Sequence, residues 1–163
     1  MLKKLLLLVV TGFFLASCAA TNTQQGGDVD AASSSTSSGS DSSITAGTQE
    51  DLIVNVGDRV FFEFDSSELT VDAQATLDAQ AAWLMQYPDT NITIEGHADE
   101  RGTREYNLAL GDKRAFAVYS YLAQAGIDTN RSEYISWGKE RTEVVVSDEN
   151  AYSQNRRGVT TVI

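Results

Sequence analysis

The sequence predicts an α+β fold, a two-layer sandwich of helices packed on a β-sheet. Stretches in which apolar and polar residues alternate are separated by stretches with apolar residues at helical spacing. The predicted order is strand, helix, strand, helix, strand, strand, which gives two strand–helix–strand crossovers and a final strand. A serine-rich segment with almost nothing to bury precedes these elements, so we expect one folded domain behind a linker.

The first residues have the pattern of an export signal. Two lysines precede an apolar run at residues 5–15 that is too short to span a bilayer comfortably. Residues 15–18, Leu-Ala-Ser-Cys, fit the site at which a lipoprotein signal peptide is cut just before a cysteine. We therefore expect residues 1–17 to be a lipoprotein signal peptide and Cys18 to be lipidated. The alternative is an ordinary secretory signal with an unrelated cysteine.

The mature chain would then begin with a lipid anchor and a linker. Two or more acyl chains on Cys18 hold a protein firmly on a membrane. Cys18 is followed by Ala19 and not by an aspartate, which would favour retention at the inner membrane. Resemblance to bacterial lipoproteins therefore implies that the protein is exported to the periplasmic face of the outer membrane. Residues 18–50 are predicted to be a disordered, Ser-rich linker with a reach of roughly 30 Å, and residues 51–163 the folded domain.

The predicted domain begins with a strand, a helix and a second strand. The strand covers residues 60–64, and its alternation places Phe64 on the same face as Val60 and Phe62. Thr70 is a suitable cap for a helix at residues 71–87. The second strand covers residues 91–95.

The second half repeats this pattern and adds short elements. A helix begins at residue 105 and is closed by Gly126. The remaining predicted elements are a third strand at residues 132–137, a loop at 143–150, a short helical turn at 151–157 and a final strand at 158–163.

Two charged residues, one in the loop after the second strand and one in the long helix that begins at residue 105, indicate a ligand site. Asp99 lies in the loop before the helix, where the helix dipole favours a carboxylate. Arg114 lies inside the helix, and its long side chain leans back toward the N-terminus. An aspartate and an arginine that converge suit a ligand with both an ammonium and a carboxylate group. The alternatives are a structural ion pair or two separate solvated charges.

The segment EGHADERGTREYNLALGDKRAFAVYSYL, residues 95–122, resembles the signature of the OmpA-like peptidoglycan-binding domain. Its core, HADERGTREYNLALG, is similar to that of the peptidoglycan-associated lipoproteins (Pal) of this family. The resemblance implies a mixed sheet and a pocket for the free amino-acid end of meso-diaminopimelate in peptidoglycan. Asp99 would take the ammonium group and Arg114 the carboxylate. The other residues that it places around the pocket are Phe64, Asp65, Arg101 and Leu110.

The resemblance also implies partners. The protein would tether the outer membrane to the cell wall and act in envelope integrity and cell division with periplasmic Tol proteins such as TolB. The alternative is a protein-interaction subunit of the Tol system whose pocket is not used for wall binding.

Composition and motifs argue against other classes. The net charge of −11 opposes a general affinity for nucleic acid. A metal site would use His97, Asp99 and Glu100, but a single histidine with carboxylates is a poor zinc set. His97 is the only histidine, and no nucleophile-elbow motif is present. Asp65 and Asp99 could form a glycosidase pair, but the nearby arginines favour binding to a charged group. We therefore predict no enzyme, no metal and no cofactor.

Overall fold

The computed structural model describes residues 44–163. The predicted signal peptide, the lipidation site at Cys18 and most of the predicted linker lie outside this range. The elements are α1 Gln49–Asn55, β1 Arg59–Phe61, α2 Val71–Gln86, β2 Ile92–His97, α3 Arg104–Gln124, a 3-10 turn Thr129–Arg131, β3 Ser132–Gly138, α4 Glu149–Asn155 and β4 Arg157–Val162.

The four strands form one mixed sheet in the order β1-β4-β2-β3. Strands β2 and β3 are parallel, while β4 runs antiparallel to both β1 and β2. The predicted α+β class, the mixed sheet and the order of strands and long helices are confirmed. β4, the last strand in the sequence, lies between β1 and β2 and joins these two strands into one sheet.

One hydrophobic core lies between the sheet and the two long helices. Ile92 and Ile94, which alternate along β2, are fully buried, as are Leu77 and Leu84 of α2. Alternation on the strand and helical spacing on α2 therefore bury their apolar residues in the same layer. Each fully buried leucine or isoleucine contributes about 1.5–3 kcal/mol to the free energy of folding.

Threonine caps fix where the long helices begin. The hydroxyl oxygen of Thr70 accepts a hydrogen bond from the Ala73 amide, and that of Thr103 accepts one from the Tyr106 amide. A cap of this kind contributes about 1 kcal/mol. The cap at Thr103 sets the start of α3, and with it the position of the loop that carries Asp99.

A contact between two glycines holds α3 against β2. A Cβ atom on Gly96 would lie 1.8 Å from the carbonyl oxygen of Gly111, and one on Gly111 would lie 2.4 Å from the Ser136 hydroxyl. The backbones of β2 and α3 therefore approach more closely than side chains allow. This contact sets the distance between Asp99, just beyond β2, and Arg114 on α3.

The first strand is shorter than the predicted strand at residues 60–64. Strand β1 ends at Phe61, and the Phe64 side chain beyond it is 61% exposed, whereas Val60 and Phe62 are buried. The backbone leaves the sheet because Asp65 adopts a positive φ of 55° and because the carbonyl of Glu63 accepts a hydrogen bond from Arg114. Tertiary contacts thus end the strand earlier than the alternation of apolar and polar residues predicts.

Helix α1 has no counterpart among the predicted elements. It is only seven residues long and has no extended apolar pattern. Its Leu52 is nevertheless fully buried, and its Asp51 accepts a hydrogen bond of 2.9 Å from the indole of Trp83. The helix is therefore fixed to the core by contacts that are distant in sequence.

We expect the buried imidazole of His97 to make the domain less stable as the pH falls. His97 is 1% exposed, and burial, together with the charge of Arg157, lowers its pKa to about 4. The unfolded chain binds the proton near pH 6.5. Stability that is present above about pH 6.5 is therefore lost as the pH falls toward 4, by about 1–2 kcal/mol between pH 7 and pH 5.

Urea denaturation at pH 7 and pH 5 measures this effect. Because carboxylates begin to titrate in the same range, the matched variant is His97→Gln, which should show a flatter profile between the two pH values. An NMR titration in which His97 protonates near pH 6.5 in the folded domain would contradict the prediction.

Candidate ligand-binding site

A cavity of about 210 Å³ lies between the end of β2, the N-terminal half of α3 and the turn after β1. All six residues that the resemblance places around the pocket line this cavity. The complete lining is Phe64, Asp65, Ala98, Asp99, Arg101, Gly102, Tyr106, Asn107, Leu110 and Arg114.

Arg114 is a fully buried cation held by backbone carbonyls. Its Nε donates to Ser66 O at 2.8 Å, Nη1 to His97 O at 2.9 Å and Nη2 to Glu63 O at 3.1 Å. Within residues 44–163 it forms no salt bridge with a carboxylate. Burial, reinforced by the charge of Arg156, lowers its pKa to about 10, so it stays charged at neutral pH.

The bonding of Arg114 leaves part of its guanidinium available. An arginine side chain carries five N–H donors, and the three hydrogen bonds to carbonyls use three of them. The two remaining donors belong to a side chain that lines the cavity. A buried cation without an ionic partner favours an anionic ligand, because the ligand would supply the missing countercharge.

Asp99 is also buried, at 5% exposed, but it is paired with two other arginines. Arg101 Nη2 lies 2.7 Å from Asp99 Oδ2, and Arg156 Nη1 lies 3.5 Å from the same oxygen. Burial alone would raise the pKa of Asp99, but the hydrogen bonds and charge of Arg101 outweigh it and lower the pKa. Asp99 and Arg114 therefore share the cavity without forming an ion pair, and neither is a solvated charge.

Asp65 provides a second carboxylate in the cavity. It accepts a hydrogen bond from the Tyr106 hydroxyl, and among the described residues it forms no salt bridge. Aspartate tolerates the positive φ of this position better than most residues. The cavity thus contains one cation, Arg114, and one anion, Asp65, that lack ionic partners in the domain.

Arg101 covers Asp99 from the solvent side. Its guanidinium carbon lies 4.4 Å from the ring centre of Phe64 and 4.3 Å from that of Tyr152. Its Nη1 also lies 3.2 Å from Glu149 Oε2. The exposed Phe64 is therefore an aromatic platform for Arg101, which links the cavity to α4.

The sequence pattern of the OmpA family matches residues 61–157, which include every residue that lines this cavity. The chain belongs to the OmpA family. It is 60% identical over 116 residues to the peptidoglycan-associated lipoprotein of Rhizobium meliloti, covering 71% of this chain and 66% of that one. The corresponding protein of Brucella melitensis is 58% identical over 116 residues, covering 71% of this chain and 69% of that one.

Solved structures agree with this family assignment. The peptidoglycan-associated lipoprotein of Burkholderia pseudomallei superposes with a TM-score of 0.63 and 42% identity, over 65% of this chain and 90% of that one. The C-terminal domain of Helicobacter pylori MotB has a TM-score of 0.60 and 20% identity, over 65% and 84% of the two chains, and shares the fold.

Some lining residues of this OmpA-family domain were not predicted. Tyr106, Leu110 and Arg114 are spaced four residues apart on α3 and so share one helix face. That spacing was the signal that could have identified Tyr106. Asn107, whose side chain donates to the carbonyl of Arg101 at 2.8 Å, lies beside the same face.

Arg156 belongs to the site through contacts that connect distant parts of the chain. Its Nε donates to Phe62 O at 3.0 Å, and its Nη1 lies 2.8 Å from Glu149 Oε1.

Within residues 44–163, no group of His, Cys, Asp and Glu side chains is suited to a metal ion, and no helix is long and apolar enough to cross a membrane. The charged residues that line this OmpA-family pocket are Asp65, Asp99, Arg101 and Arg114.

Proposed function

We propose that this protein binds peptidoglycan non-covalently, by taking the free amino-acid end of meso-diaminopimelate into the cavity. The observation that carries the proposal is Arg114, a fully buried cation on the cavity wall with two free N–H donors and no ionic partner among the described residues. The ligand carboxylate would accept from this guanidinium, as arginine–carboxylate pairs commonly do.

The ligand ammonium would bind at the acidic wall. Asp99 is our proposed acceptor, and Asp65 contributes a second carboxylate to the same cavity. Leu110, Ala98 and the ring of Phe64 give an apolar lining that suits the methylene groups between the two ends of the ligand. A zwitterion would thus meet charges of the opposite sign at both ends.

The relatives support the wider role that we propose. They are peptidoglycan-associated lipoproteins by name, and the N-terminal sequence fits lipidation at Cys18. We propose that the lipid anchors the protein in the outer membrane, so that it tethers this membrane to the cell wall. Periplasmic Tol proteins such as TolB are the proposed partners in envelope integrity and cell division.

The lowered pKa of Asp99 fits a binding protein better than a glycosidase. A glycosidase needs a carboxylic acid whose raised pKa keeps it protonated. The pKa of Asp99 is lowered by Arg101, so Asp99 is an anion with no proton to give. This favours a stable ion pair with a ligand ammonium over proton transfer.

Co-sedimentation of the isolated domain with purified sacculi tests the proposal. Residues 44–163 contain the whole core, the sheet and the helix caps, so this domain can be made without the proposed lipid. We expect the wild type to bind and Asp99→Asn to lose at least about 30-fold in affinity, because a buried ion pair loses its charge. Asp112→Asn on the exposed side of α3 is the control and should bind normally.

The same experiment can reject the proposal. A folded Asp99→Asn domain with normal affinity would remove Asp99 from the site. A wild-type domain that recovers Tol proteins from a periplasmic extract but does not sediment with sacculi would favour the protein-interaction alternative.

A further inference from the structure

The carboxylate of Asp99 has no free acceptor position in this structure. Its Oδ1 accepts from the Arg101 backbone N–H at 3.1 Å and from Arg101 Nε at 3.0 Å. Its Oδ2 accepts from Arg101 Nη2 at 2.7 Å and from Arg156 Nη1 at 3.5 Å. A carboxylate has about four acceptor positions, so a ligand ammonium can reach Asp99 only by replacing one of these donors.

Of the two arginines, Arg156 is the harder to displace. Its side chain is 7% exposed, and two further hydrogen bonds hold it, one to the carbonyl of Phe62 and one to Glu149. Moving it would leave a buried carbonyl without a donor, which costs about 1–3 kcal/mol.

Arg101 can leave Asp99 at a smaller cost. Its side chain is 36% exposed, so its guanidinium can regain water. Its Nη1 is already 3.2 Å from Glu149 Oε2, and Glu149 has a 65% exposed side chain. The ring of Tyr152 flanks the guanidinium on the α4 side. A guanidinium that moves off Asp99 toward α4 therefore keeps a carboxylate and an aromatic ring as partners.

We propose that the Arg101 side chain is an exchangeable internal cation that occupies the ammonium position of the empty site. The incoming ammonium replaces the guanidinium on Asp99, and the guanidinium moves to Glu149 and Tyr152. This rests on the proposed function, because it assumes a ligand with an ammonium group. Arg101 keeps the buried charge of Asp99 compensated while the pocket is empty, and it lowers ligand affinity by the free energy of its own contact.

If Arg101 contacted the ligand directly, removing its side chain would weaken binding. The exchange that we propose predicts the opposite, that binding becomes tighter. Calorimetric titration with a peptidoglycan tripeptide that ends in meso-diaminopimelate compares the two. If Arg101 competes, Arg101→Gln should bind the tripeptide about tenfold more tightly, which corresponds to about 1.4 kcal/mol. An analogue in which hydrogen replaces the ammonium group should bind both proteins equally. Arg104→Gln, which removes an exposed arginine paired with Glu140, is the control for lost charge.

A second measurement uses the unmodified domain and does not depend on the stability of a variant. The Nε–H signal of Arg101 is followed by NMR during both titrations. We expect it to shift on binding of the tripeptide, as the hydrogen bond to Asp99 breaks, and to stay in place with the analogue that lacks the ammonium group.

The outcomes separate the two proposals. If the wild type binds the tripeptide while the Arg101 signal stays in place, or if Arg101→Gln binds equally or more weakly, the exchange is overturned and the proposed function stands. If neither protein binds the tripeptide, the proposed function fails and the exchange fails with it.

Discussion

Replacing Arg114 by alanine is expected to abolish ligand binding and to lower the free energy of unfolding by several kcal/mol. The stability loss arises because three backbone carbonyls, of Glu63, Ser66 and His97, lose their donor at once. Each buried unsatisfied group costs about 1–3 kcal/mol. The binding loss arises because the ligand carboxylate would be buried without a cation, which typically costs 2–5 kcal/mol. Urea denaturation and calorimetric titration measure the two losses separately.

Arg114→Lys is the matched variant, because it keeps the charge and removes the planar fork. An ammonium group has three donors and cannot reproduce the spacing of a guanidinium on three carbonyls. We expect this variant to be more stable than Arg114→Ala and to bind measurably but more weakly than the wild type. Binding of normal strength by a folded Arg114→Ala domain would contradict both the pocket assignment and the proposed function.

The residues that form the site could be predicted from the sequence, but their hydrogen-bond and ion-pair partners could not. Asp99 and Arg114 were predicted to converge because one precedes a helix and the other leans toward its start, and both line the cavity. Their partners could not be predicted in the same way. The pairing of Asp99 with Arg101 is a loop geometry with no periodic signal, and the carbonyls that hold Arg114 belong to the turn after β1 and to β2, which are distant in sequence.

The same distinction holds for the fold. Elements with a local periodic pattern could be predicted, and elements fixed by contacts distant in sequence could not. The long helices and the strands β2, β3 and β4 follow periodic patterns of apolar residues, and the structure has them within a few residues of the predicted bounds. Strand β1 and helix α1 differ, because contacts across the fold decide them. Arg114 and Arg156 bind the backbone around Phe62 and shorten β1, while the burial of Leu52 fixes α1.

Replacing Gly96 by alanine is expected to destabilise the fold strongly, because the added Cβ meets the backbone of α3. The added Cβ would lie 1.8 Å from the carbonyl oxygen and 2.7 Å from the carbonyl carbon of Gly111. These are backbone atoms of a long helix, so no rotamer change can relieve the clash and α3 must move away from β2. We expect a loss of about 3 kcal/mol or more, at the upper end of overpacking effects, measured by urea denaturation.

Gly158→Ala is the matched control, since Gly158 pairs with Gly96 across the β2–β4 register. Its added Cβ would lie 3.1 Å from Val118 Cγ2, the end of a side chain, so we expect a loss of about 1 kcal/mol or less. Ligand binding should follow the same order. Asp99 lies three residues after Gly96 and Arg114 three residues after Gly111, so a shift of α3 separates the two ends of the pocket. If Gly96→Ala were as stable as Gly158→Ala and bound the tripeptide normally, the close approach of β2 and α3 would not set the geometry of the site.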